Sequence, residues 1–213
     1  MNLAQCRASF NQADLYVVIT EAFCAGRRPL AVLEGVLAAG VRIVQLREKD
    51  LEDRRLYELA LAFRQRTAAV GALLIIDDRL DIALAAAADG VHLGQTDLPV
   101  AVARRVAPDL FIGASSHSLE EALAAQEAGA SYVNIGPIFP TATKPQAVSL
   151  GPEALSRITP QLRIPWSTMG GINGSNIAQV VARGARHAAV MSAVTAAVEV
   201  MAAARALREA IIS

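Results

Sequence analysis

The sequence predicts a single-domain α/β chain, a (β/α)8 barrel, on three observations. Short aliphatic and β-branched runs alternate with longer alanine-rich amphipathic segments along all 213 residues. Eight such runs can be counted, which gives repeats of about 27 residues, close to the lower size limit for a barrel of this type. A glycine recurs where a helix must turn into the next strand and supplies left-handed backbone without Cβ strain, in AAG before Val41, ADG before Val91, AGA before Tyr132 and RGA before Arg186. One repeated unit explains this better than two domains. An open doubly wound sheet is the architectural alternative, because strand count alone does not prove closure.

Residues 1–14 precede the first strand as an N-terminal extension, with no basic region, apolar core and cleavage site of the kind that directs export. The strand expectations are then Leu15 to Thr20, Arg42 to Arg47, Leu73 to Asp77, Gly90 to Leu93, Phe111 to Ser115, Tyr132 to Gly136, Pro165 to Met169 and His187 to Met191. Helices are expected over Leu30 to Ala39, Leu51 to Ala69, Leu80 to Ala87, Pro99 to Val106, Leu119 to Ala128, Pro152 to Ile158, Ser175 to Arg183 and Glu199 to Ile211. Each carries apolar residues at helical spacing. The fifth shows the grammar: Ser118 as N-cap with Glu121 three residues on, Leu119, Ala122 and Leu123 on one face, and Gly129 as the stop.

Composition narrows the function. Twenty basic residues balance twenty acidic ones and 54% of the chain is hydrophobic. That excludes disorder as the main state and gives no general electrostatic reason to expect nucleic acid or an anionic membrane as a partner. No apolar run reaches the ~18 residues of a membrane span. Cys6 and Cys24 lack metal-type spacing and cannot build a disulfide framework, which suggests a reducing compartment. The expectation is a cytoplasmic protein acting on small molecules, and a homo-oligomer is compatible with this composition.

In a parallel barrel, ligands bind beyond the carboxyl ends of the strands, so the residues after each strand are the functional candidates. Alternation after the second strand points Gln45, Arg47 and Lys49 one way, an amide and two cations suited to a phosphorylated ligand, unless Glu48 and Asp50 merely neutralise a solvated strand exit. Asp77 and Asp78 follow the third strand and Asp97 the fourth. Asp78 and Asp97 match the habit of Mg²⁺, which takes one or two carboxylates plus substrate phosphates. Helix capping is the competing reading of all three. Ser115 and its neighbours supply hydroxyls after the fifth strand, where His117 among serines lacks both a nucleophile elbow and an assignable acid. The long loop after the sixth strand carries Thr141, Thr143 and Lys144, in the manner of a binding lid. Gly171 after the seventh strand and Met191 and Ser192 after the eighth fit the common barrel phosphate site. One phosphate there and a more highly charged one across the rim imply two phosphorylated ligands.

QLREK (45–49), DDRLDIAL (77–84), DGVHLGQTD (89–97), GASSHS (113–118), NIGPIFPTATK (134–144), MGGI (169–172) and VMSAV (190–194) stand in register on successive units. Together they resemble the thiamine phosphate synthase family, over nearly the whole chain. The resemblance implies a transferase that joins 4-amino-2-methyl-5-hydroxymethylpyrimidine diphosphate to a hydroxyethylthiazole phosphate, giving thiamine phosphate and pyrophosphate through a dissociative, carbocation-type substitution. It implies that Arg47, Lys49, Lys144 and Ser115 hold the diphosphate, that Asp78 and Asp97 hold Mg²⁺, and that Gln45 faces the pyrimidine. Thr141 and Thr143 would order the loop, while backbone amides at Gly171, Met191 and Ser192 would receive the thiazole phosphate.

Two positions depart from the pattern. Asp77 stands where the family has asparagine, placing an acceptor where an amide donor would meet the diphosphate. The seventh strand, Trp166 to Met169, is bulkier and more polar than the small aliphatic run expected there, which predicts an altered thiazole-side pocket. Two alternatives remain: a thiazole tautomerase of the same fold, whose catalytic histidine falls where Pro137 stands here, and a non-catalytic binder of thiamine precursors.

Overall fold

The computed structural model describes residues 1–141 and 146–213. Among them, eight parallel strands close into a barrel in chain order: β1 (Leu15–Ile19), β2 (Ile43–Leu46), β3 (Leu73–Asp77), β4 (Gly90–Leu93), β5 (Phe111–Ser116), β6 (Tyr132–Ile135), β7 (Trp166–Met169) and β8 (Ala188–Val190). Closure is direct, with Leu15, Tyr16 and Val17 of β1 in register with Ala188, Ala189 and Val190 of β8. The open-sheet alternative is thereby excluded.

The helices outside the barrel are α2 (Pro29–Ala38), α3 (Asp53–Ala69), α4 (Leu80–Ala85), α5 (Val100–Val106), α6 (Leu119–Glu127), α7 (Glu153–Ile158), α8 (Ile177–Val181), α9 (Ser192–Thr195) and α10 (Val200–Ile212); α1 (Leu3–Gln12) comes before them all. Five strands are one or two residues shorter than expected, β3 and β4 match, and β5 runs one residue further, to Ser116. The helix expected from Ser175 starts later because Asn173 and Asn176 first close a polar turn, with the Ser175 N–H donating to Asn173 Oδ1 at 2.9 Å and the Asn173 N–H to Asn176 Oδ1 at 2.8 Å.

Strand alternation divides the apolar residues into two cores. Outward-facing Val17, Ile19, Val44, Leu46, Leu74 and Ile76 pack under the helices. Inward-facing Tyr16, Val18, Ile43, Leu73, Ile75, Phe111 and Tyr132 fill the barrel. Residues 1–14 are more than an extension. An Asn2–Gln5 capping box starts α1, and its Phe10 enters the amino-terminal mouth of the barrel, with ring centroids 4.5 Å from His187, 4.7 Å from Tyr132 and 5.5 Å from Phe111. Burying that phenylalanine and Cys6 seals the end opposite the site.

The glycine grammar holds at three of its four places and fails at one. Gly40, Gly129 and Gly184 adopt left-handed backbone, but before β4 the left-handed residue is Ala87, at φ 50°. Gly90 serves a different need: a Cβ there would lie 2.1 Å from the Phe111 carbonyl oxygen, so the requirement is close packing of β4 against β5. Gly113 plays the same part inside the barrel, where a Cβ would strike the Tyr132 ring at 2.2 Å. Ser118 caps α6 as expected, accepting from the Glu121 N–H at 3.1 Å. Glu121 itself reaches one residue further back than a capping box would take it, to the His117 N–H at 2.7 Å.

Candidate active site

At the carboxyl ends of the strands lies a cavity of about 480 Å³, lined by Gln45, Arg47, Lys49, Asp77, Asp78, Asp97, Ser115 and Thr141 among others. The structure therefore collects these predicted residues around one space, and Gln45, Arg47 and Lys49 share a face as alternation required. Thr143 and Lys144 lie outside the described residues. A second cavity of about 330 Å³ opens beside the first, lined by Gly171, Asn173, Met191 and Ser192. Both are lined by Thr141, Met169, Gly170 and Met191, so the two spaces adjoin.

Capping does not account for the carboxylates. The N-cap of α4 is Arg79 and that of α5 is Pro99, neither with a side-chain cap. Instead Asp97 Oδ2 accepts from the Gly94 N–H at 2.7 Å, folding its loop back over the end of β4. Asp78 sits in left-handed backbone at φ 59° in a tight turn, in which the Arg79 N–H donates to the Asp77 carbonyl at 2.6 Å. Aspartate tolerates that conformation better than most residues, and strain of this kind concentrates at functional sites. The turn aims the Asp78 carboxyl at that of Asp97, with which it shares a hydrogen bond.

The electrostatics follow from this crowding. Burial first, then the hydrogen bond with Asp97, raises the Asp78 carboxyl above its ordinary range. Burial also pushes Asp97 up, but hydrogen bonds from Asp78 and Gly94 outweigh it and hold it low. Two carboxyls that must share a proton are a place where a dication would be welcome, and oxygen donors are what Mg²⁺ selects. Among the described residues no cluster of three or more metal-ligating side chains exists, so any ion here would complete its shell with water or ligand oxygens.

Asp77, nine parts in ten shielded by its side chain's surroundings, lies 3.4 Å from Arg47 Nε and 3.7 Å from Lys49 Nζ. Burial, reinforced by the Asp78 charge, pushes its carboxyl up to about 7. Near neutrality it carries a proton about half the time and can then donate as an asparagine amide would. Lys49 also pairs with Asp78.

The cavity also takes residues that strand-end chemistry does not single out. His92 is in register with Asp77 and points inward, with Nε2 2.9 Å from Ser115 Oγ and Nδ1 3.0 Å from the Tyr132 hydroxyl. Tyr16, Gln95, Asn134 and Met169 also line the space. The parity that placed Gln45 would have placed Tyr16, His92 and Asn134 as well, but an inward tyrosine is indistinguishable from core until the depth of the cavity is known. His117 hydrogen-bonds through Nδ1 to the Gly136 carbonyl, not to a serine, so no nucleophilic triad forms around it. On β7, Trp166 packs outward among the helices, and the residue that reaches the cavities is Met169.

Comparison with known proteins gives this geometry a family. A model of the thiamine monophosphate synthase family matches residues 15–194. The chain belongs to that family. It is 48% identical over 202 residues to the thiamine-phosphate synthase of Moorella thermoacetica, covering 94% of this chain and 96% of that one. It is 47% identical to that of Chloroflexus aurantiacus, covering 91% and 90%. The solved thiamine phosphate pyrophosphorylase of Pyrococcus furiosus superposes with a TM-score of 0.89 at 39% identity, over 95% of this chain and 96% of that one. A 3-hexulose-6-phosphate synthase, at 21% identity and a TM-score of 0.70, shares the fold alone. Membership places the chain among transferases of thiamine biosynthesis. No helix among the described residues is long and apolar enough to cross a membrane.

Proposed function

We propose that the chain condenses 4-amino-2-methyl-5-hydroxymethylpyrimidine diphosphate with a hydroxyethylthiazole phosphate, in a Mg²⁺-dependent reaction that yields thiamine phosphate and pyrophosphate. The observation that carries this reading is the pair of adjoining cavities with unlike linings. One holds Arg47, Lys49, Asp78, Asp97, Gln45 and Ser115; the other is walled by the glycine-bearing loop after β7 and by Met191 and Ser192 after β8. A multiply charged donor fits the first and a monophosphate acceptor the second.

The chemistry needs a leaving group stabilised more than it needs a base. The carbon–oxygen bond to the diphosphate breaks with its electron pair leaving on oxygen, and the thiazole nitrogen supplies the pair for the new carbon–nitrogen bond. Arg47 and Lys49 hold the departing oxygens, and the Ser115 hydroxyl adds a donor. Asp78 and Asp97 are the residues that would hold Mg²⁺, which would supply positive charge to stabilise the departing diphosphate. Val18, Met169 and Met191 present apolar surface to the cavity, which keeps water from capturing the cation before the nitrogen does.

The test is a coupling assay with purified protein, both substrates and Mg²⁺, following thiamine phosphate and pyrophosphate. Product that requires the metal and is lost in Lys144→Ala and Arg47→Ala supports the reading. Folded protein that binds either substrate without turnover overturns it in favour of a precursor-binding role, and isomerisation of the thiazole phosphate alone would favour a tautomerase.

A further inference from the structure

The inside of the barrel holds an unbroken run of hydrogen bonds that joins one side of the cavity to the other. Gln45 Nε2 lies 2.6 Å from the Tyr16 hydroxyl, which lies 3.0 Å from the Tyr132 hydroxyl. That group lies 3.0 Å from His92 Nδ1, and His92 Nε2 lies 2.9 Å from Ser115 Oγ. Tyr16, Gln45, Tyr132 and His92 are all buried. Gln45 and Ser115, the two ends, both line the cavity. Burial raises both phenols well above their ordinary range, so each keeps its proton at neutral pH.

The run has a direction. An amide N–H₂ can only donate, so Tyr16 oxygen accepts from Gln45 and its own proton goes on to Tyr132. The Tyr132 proton then goes to His92 Nδ1, which leaves the imidazole proton on Nε2, donated to Ser115. Ser115 Oγ is thereby an acceptor toward the protein, and its own proton is left for the cavity. At the other end Gln45 lines the cavity, and with Nε2 engaged by Tyr16 its carbonyl oxygen is the atom left to accept from an amino group there. Were Gln45 turned over, each link would reverse, and Ser115 would spend its proton on His92.

We propose that Tyr16, Tyr132 and His92 are positioning residues that couple recognition of an amino group at Gln45 to the hydrogen-bond donor that Ser115 presents to the leaving diphosphate. This rests on the function proposed above and deepens it: the amino group on the donor ring is read as a condition of leaving-group stabilisation as well as of binding. A ring bearing an acceptor in place of that amine would turn Gln45, reverse the chain and disarm Ser115.

Two measurements test it. In ligand-free wild-type protein with ¹⁵N-labelled histidine, assigned with His92→Gln, nuclear magnetic resonance should show His92 with its proton on Nε2. A proton on Nδ1 overturns the proposal whatever the activity, and an absence of coupling activity would strike only the function above. In steady state, Tyr132→Phe should lower kcat about tenfold or more, leave KM for the thiazole phosphate within about twofold, and cost nothing further in a Ser115→Ala background. Equal losses in both backgrounds would mean that Tyr132 does not act through Ser115, and would overturn the coupling. Should Tyr132→Phe fail to fold, the tautomer measured in the wild-type protein decides.

Discussion

His187 should make the fold sensitive to mild acid. It is buried at the amino-terminal mouth of the barrel against Phe10, and its Nδ1 has no hydrogen-bond partner among the described residues. Burial lowers its pKa to about 4, only partly offset by a hydrogen bond with the backbone of Ala13. The ring is neutral in both folded and unfolded chains above its ordinary pKa near 6.5 and costs nothing there. As pH falls below that value the unfolded chain takes a proton that the folded one refuses until pH approaches 4, so stability drops across that window. At about pH 5 the two pKa values correspond to a loss of roughly 2 kcal/mol, approaching about 3 kcal/mol once both states are protonated. For a chain of this length, 2 kcal/mol lowers Tm by about 4–8 °C. Urea unfolding of wild type and His187→Gln at about pH 8 and pH 5 isolates this contribution from that of the carboxylates. The variant should lose roughly 2 kcal/mol less than wild type between the two conditions. Equal losses would refute the assignment of the proton to His187.

The carboxylates give two further tests. Asp97→Asn leaves Asp78, after β3, as the one ionisable oxygen donor of the pair and should raise the Mg²⁺ concentration for half-maximal coupling by about tenfold or more, measured as rate against metal. Asp77 has a pKa of about 7, so its charge, and its hold on Arg47 and Lys49, grows as pH rises through that value. KM for the pyrimidine diphosphate should accordingly climb between about pH 6 and pH 8 in wild type and stay flat in Asp77→Asn; an unchanged climb would move the effect elsewhere. Gly113→Ala puts a Cβ 2.2 Å from the Tyr132 ring. Overpacking of that kind should cost about 1–3 kcal/mol in urea unfolding and disturb activity along with stability.

The barrel was legible because its signal is repeated: each βα unit restates the same alternation of inward and outward positions, and errors at one strand end are corrected by its neighbours. The helix in residues 1–14 was not, since its only apolar anchors are Leu3, Cys6 and Phe10, and their value depends on a mouth that exists once the barrel has closed. Gly90 is ambiguous in the sequence for a related reason. Left-handed backbone and close strand approach both select glycine, and the sequence ADG does not distinguish them. At the site, charged strand-end residues were legible because burying charge without purpose is costly. Tyr16, Tyr132 and His92 were not, because an inward phenol or imidazole reads as core until its hydrogen-bond partners on distant strands are known.

The charges on the rim bear on the order in which ligands bind. Arg47 is held in an ion pair by Asp77, and Lys49 by Asp77 and Asp78, with Asp97 on the same cavity. A bare diphosphate would have to break those pairs and approach three carboxyl groups at close range, where each like-charge contact is costly. Were Mg²⁺ held by Asp78 and Asp97, it would draw Asp78 away from Lys49, and a proton on Asp77 would loosen the hold of that carboxyl on both Arg47 and Lys49, leaving the two cations available to the phosphate. Under the proposed function, metal and diphosphate therefore enter together or metal first. Pyrophosphate binding followed by calorimetry should then be weak without Mg²⁺ and strengthened by it, and in Asp77→Asn the metal-free affinity should rise. Tight metal-independent binding to the wild-type protein would contradict the ion-paired rim as the resting state.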